Sequence, residues 1–75
     1  MEMLKREDAE EMLYQLLNNT LVHKNDIDEL MDSAKNHPYG IPMKGIRYRY
    51  DQMEKKELTK EDWRILNTLM HFYGP

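Results

Sequence analysis

Lys44-Gly45-Ile46-Arg47-Tyr48-Arg49-Tyr50 gathers three cations and two tyrosines with no acid among them. Such a segment suits phosphate contacts, with a ring free to stack on a base. It suits an acidic protein surface equally, because Arg and Tyr concentrate binding energy at interfaces. It also fits an internal role, with Ile46 and Tyr50 in the core and the arginines paired to the acidic first two helices. The last helix adds Trp63, Phe72 and Tyr73 to the surface-contact candidates. The expected partner-binding set is therefore Lys44, Arg47, Tyr48, Arg49, Trp63, Phe72 and Tyr73.

Other residue types offer less chemistry. Ser33 is the only serine, placed among acids with no base in register for nucleophilic catalysis. His23, His37 and His71 lack ligand spacing such as His-x-x-x-His, and cysteine is absent. Asn25, Asp26 and Asp28 resemble a calcium loop only in part, without its glycine and closing glutamate. Gly40 and Gly45 stand among prolines, without the lysine and hydroxyl of a phosphate-binding loop. No catalytic residue, metal, cofactor or small-molecule substrate is expected.

The elements that must position these residues are helices. Ala9, Met12, Leu13, Leu16, Leu17, Thr20 and Leu21 recur at three- and four-residue steps, which predicts a first helix over about 6–22. Asn25 is a candidate N-cap for a second, over about 25–36, with Ile27, Leu30, Met31 and Ala34 as its apolar stripe. Residues 37–45 hold two prolines and two glycines and read as the one clear loop. In residues 46–57 both a helical face and strand alternation are present. No second strand-like run exists to pair with, so a helix is expected.

Thr59 and Asp62 form a capping-box pattern ahead of a last helix over about 59–73, and Gly74 closes it. Leu58–Leu69 resembles the opening helix of winged helix-turn-helix regulators. The likeness is confined to that stretch, where capping and amphipathicity produce the same pattern. The expected fold is all-α, a small bundle of three to four helices, with residues 1–75 as a single helical domain.

Composition bounds the rest. A 75-residue chain with 33% charged and 40% apolar residues reads as globular. At this size a domain hides only about 60% of the surface its unfolded chain exposes. Residues 1–36 carry nine acids against four bases and residues 37–75 five against seven, so the halves have opposite sign within a net charge of −3. Glu10, Glu11, Asp26, Asp28, Glu29 and Asp32 raise the idea of nucleic-acid mimicry, but the net charge is small for it. No stretch reaches the roughly 20 apolar residues a membrane helix needs, so a cytoplasmic protein without membrane contact is expected.

Apolar residues of the last helix, with Met3, Leu4, Leu21 and Val22, exceed what a three-helix core hides. The expected function is a small non-enzymatic protein-interaction module, a regulator or inhibitor that docks on a partner protein or self-associates as a homodimer. Its style fits accessory proteins of bacteria or their phages. The alternative is a DNA-binding accessory factor using residues 44–56, with nucleic acid as the partner.

Overall fold

The computed structural model describes residues 3–74; Glu2, counted among the acids of the first half, lies outside them. Four helices follow in order: α1 (Arg6–Thr20), α2 (Lys24–Asn36), α3 (Met43–Gln52) and α4 (Lys60–Tyr73). The fold is a small all-α bundle, as the periodicity predicts. α1 packs on α2 and α4, and α3 packs on the same two, which closes a four-membered ring.

The core lies inside that ring. Leu13, Leu16 and Leu17 of α1 meet Leu30 of α2, Met43 and Ile46 of α3, and Leu66 and Leu69 of α4, all of them buried. Each such side chain contributes about 1.5–3 kcal/mol through its removal from water. Across the diagonal, α1 and α3 are joined by a buried polar pair. The Thr20 hydroxyl donates to the Leu16 carbonyl at 2.7 Å, and the Tyr50 hydroxyl is left to donate to Thr20, also at 2.7 Å. Burial pushes the Tyr50 phenol above its ordinary value, with Asp62 and Asp51 adding to the rise.

Two boundaries differ from expectation for one reason. α1 ends at Thr20, not Val22, and α3 ends at Gln52, not residue 57. The segments that follow them pair with each other. Leu21 and Lys55 form an antiparallel bridge, Lys56 N donates to the Thr20 carbonyl at 2.7 Å, and Val22 N donates to the Glu54 carbonyl at 3.2 Å. No strand-like pattern foreshadows this, because one bridged residue on each side has no periodicity to display. The Lys55 ammonium then closes α3, donating to the carbonyls of Tyr50 at 2.8 Å and Met53 at 3.1 Å.

Two N-termini also differ. α2 begins at Lys24, so His23 holds the cap position and Asn25 lies within the first turn without capping it. The bridge holds the chain at Val22, and His23 Nε2 lies 2.8 Å from Glu54 Oε1 and makes no cap bond to the helix. α3 begins at Met43, three residues earlier than expected, so Lys44 and Gly45 are helical rather than loop. The loop is shortened to residues 37–42, and Gly40 turns it with φ +103, where a Cβ would come within 3.4 Å of the Tyr73 ring.

α4 starts as expected. Thr59 Oγ1 accepts from Asp62 N at 3.1 Å and Asp62 Oδ2 accepts from Thr59 N at 2.9 Å. This reciprocal pair leaves the buried Asp62 carboxylate satisfied and is worth about 1 kcal/mol. Gly74 is the C-cap, its N–H donating to the Met70 carbonyl at 2.8 Å, and a Cβ there would collide with that carbonyl. The Tyr73 hydroxyl donates to the Leu4 carbonyl at 2.7 Å, which ties the end of α4 to the start of α1.

Candidate functional site

The expected contact residues do not share one surface. On α3 the core side is set by Met43, Ile46 and Tyr50. At 100° per residue, Arg47 and Arg49 fall on opposite flanks of that side, and Lys44 and Tyr48 point away from it together. Arg49 reaches across to α2, donating to Glu29 at 3.2 Å and to Ser33 Oγ at 2.8 Å. Arg47 donates to Asp51, one turn along its own helix, at 3.1 Å. Lys44 stays exposed and Tyr48 is 71% exposed.

The same separation holds on α4. Trp63 and Phe72 are nine residues apart, which places them about 180° apart on opposite margins of the buried stripe. They are 47% and 40% exposed, and Tyr73 between them is part-buried on Leu4. The apolar surplus read from sequence is smaller than expected, since Leu21 is buried, Leu4 packs against the core, and α3 supplies a fourth wall. Met3, Val22 and the loop residue Tyr39 remain exposed, at separate places in the fold.

All four arginines of the chain hold a carboxylate. Besides Arg47 and Arg49, Arg64 grips Glu61 in a two-point pair that holds the Glu61 carboxyl below its usual value. Arg6 bonds Glu10 at 3.0 Å and also caps the end of α2, donating to the carbonyls of Ala34 at 2.8 Å, Lys35 at 3.2 Å and His37 at 2.6 Å. Sequence reading missed this cap, because it joins residues about thirty apart whose meeting depends on how the hairpin closes.

A concavity lies elsewhere, along the outer seam of the α1–α2 hairpin. It is a groove of about 710 Å³ lined by Glu7, Glu10, Glu11 and Tyr14 of α1 and by Asp28, Met31, Asp32 and Lys35 of α2. A smaller concavity of about 310 Å³ adjoins it at Tyr14 and Asp28 and is lined further by Asn18, Leu21, Val22, Lys24 and Ile27. Tyr14, 49% exposed, and the part-buried Met31 are the groove's apolar floor.

The walls carry uncompensated charge. Among the described residues, Glu7, Glu11, Asp28 and Asp32 make no ion pair, whereas Glu10 is held by Arg6. Glu7 with Glu11, and Asp28 with Asp32, are like charges one helical turn apart, an arrangement that costs about 0.2–0.5 kcal/mol per pair. Of the six acids considered for mimicry, Glu10, Glu11, Asp28 and Asp32 line the groove, Glu29 turns to α3 to meet Arg49, and Asp26 belongs to neither set. The sequence signal for the groove was present as Glu-x-x-x-Glu and Asp-x-x-x-Asp on successive helices, but it is also what a solvated face displays. Tyr14, off the apolar stripe of α1, was the sharper clue.

The histidines sit in three separate settings, at Glu54, at the Tyr39 backbone and against the Phe72 ring. Among the described residues, no three His, Asp or Glu side chains gather as a metal site, and no helix is long and apolar enough to cross a membrane. No family model, characterised protein or solved structure matches this chain.

Proposed function

We propose that this protein is a small non-enzymatic docking module, a regulator or inhibitor that acts by receiving a segment of a partner protein in the α1–α2 groove. The observation that carries the reading is the groove itself, with a half-exposed Tyr14 on its floor, on two helices locked by the core. Rigid walls spare the ordering cost that a flexible loop would incur on binding. A Tyr ring offers large contact area with only two side-chain torsions to freeze. The carboxylate walls repel phosphate, which favours protein over nucleic acid as the partner.

The alternative, a DNA-binding accessory factor using residues 44–56, has thinner support. Arg47 and Arg49 are each held by a carboxylate, and Lys44 with Tyr48 is what the helix presents outward.

A photo-crosslinking amino acid placed at position 14, with position 19 as control, tests the docking reading in an extract of the protein's native cells. Asn19 is exposed on the side of α1 away from the groove. The expected result is a discrete protein adduct from position 14 and none from position 19. Equal labelling at both positions, no adduct at 14, or an adduct that nuclease removes would overturn it.

A further inference from the structure

We infer that the groove's occupant is a short cationic amphipathic helix of the partner protein; this rests on the docking reading above. Charge complementarity is the first argument. Both walls present carboxylates at one-turn spacing, Glu7 and Glu11 on one side, Asp28 and Asp32 on the other. Among the described residues none of these four carboxylates makes an ion pair, although Lys35 lines the groove with them and Arg6 holds the neighbouring Glu10. A helix carrying Lys or Arg at three- and four-residue steps repeats at the same interval of roughly 6 Å. An extended strand places same-face residues roughly 7 Å apart and drifts out of register along the walls.

The floor gives the second argument. Tyr14 continues the Glu7–Glu11 row by three residues and Met31 lies three residues beyond Asp28, so an occupant must carry apolar residues beside its cations, the pattern of an amphipathic helix. Met fits irregular shapes readily, and a phenol ring accepts both an aliphatic side chain and the stem of a lysine. The third argument is length. From Glu7 to Leu21 the groove and the adjoining concavity follow α1 for four turns, about 21 Å, which matches about 14 residues of helix. Lys35 at one end and Lys24 at the other mark where the negative wall stops.

The probe is a fluorescein-labelled peptide of about 14 residues with lysines at helical spacing on both margins of a leucine stripe. It is compared with a scramble of identical composition and with spermine as competitor. The patterned peptide is expected to bind at least about tenfold tighter than the scramble and to weaken as sodium chloride rises. Amide shifts in the protein should map to the lining of the groove. Glu11→Gln/Asp28→Asn should weaken binding by at least about tenfold with the far-UV circular dichroism unchanged, whereas Asp8→Asn, outside the groove lining, should leave it intact.

Equal binding of patterned and scrambled peptides, full displacement by spermine at matched charge, or shifts that map outside the groove would each overturn the inference. An adduct from position 14 combined with no binding of the patterned peptide would sink the cationic helix and leave the docking reading standing. Failure of both would remove both.

Discussion

α1 and α3 carry charged residues at the same one-turn spacing and treat them in opposite ways. On α3, Arg47 faces Asp51, an attractive pair at i and i+4. On α1, Glu7 faces Glu11 at the same spacing, a repulsive pair, and α2 repeats the repulsion with Asp28 and Asp32 on the facing wall. One side of the molecule is closed upon itself, and the other keeps its charge and a half-exposed tyrosine unmet. The same contrast separates Tyr50, sealed in the core and bonded to Thr20, from Tyr14, laid open in the groove.

The two tyrosines offer the strongest attempt to break that comparison. Tyr50→Ala removes a buried ring and leaves the Thr20 hydroxyl without its partner. It is expected to cost about 3–5 kcal/mol, enough to unfold much of a domain this small. Tyr14→Ala is expected to stay within about 0.5 kcal/mol of the parent. Urea unfolding followed by circular dichroism measures both. Similar losses at the two positions would mean that Tyr14 is a core residue, and the groove would lose its floor.

A smaller effect separates the phenol from its ring. Tyr50→Phe keeps the packing and gives up the hydrogen bond to Thr20, for an expected loss of about 1 kcal/mol at neutral pH. The pH dependence sharpens the assignment. Burial holds the folded phenol above its ordinary value of 10.0, so the unfolded chain ionises first. The stability tied to the neutral phenol is complete below that ordinary value and is lost as pH rises beyond it toward the folded value. Thermal melts above about pH 10 should therefore fall more steeply for the parent than for Tyr50→Phe. Parallel slopes would place the alkaline sensitivity on another group.

How much of this was legible follows from which residues carried a repeating signal. α4 was read almost to the residue, because Thr59 and Asp62 form a cap whose geometry is local and Gly74 ends it. α3 starts three residues before and ends five residues before the expected bounds: Pro42 caps its start locally, and the Leu21–Lys55 bridge, a contact distant in sequence, sets its end. The Arg-Tyr segment was noticed, but composition does not tell which arginine already has a carboxylate; only the pairing with Glu29 and Asp51 does. The groove was nearly invisible. Its walls look like ordinary solvated helix faces until the hairpin sets them side by side.

The finest test addresses the charges directly. Glu11→Gln, Asp28→Asn and Asp32→Asn together leave the apolar floor in place and remove both like-charge pairs along the walls. With no ion pair of these three carboxylates to lose among the described residues, the triple variant is expected to gain a few tenths of a kcal/mol per pair relieved. Its stability should also respond less to added sodium chloride, since there is less repulsion to screen. Asp51→Asn on α3 is expected to move the other way by a similar amount, because it breaks an attractive pair with Arg47. Denaturation midpoints of the three proteins at low and high salt resolve these signs. If the triple variant were destabilised by more than about 0.5 kcal/mol, the carboxylates would have to serve the fold, and the charge would no longer be available to a partner.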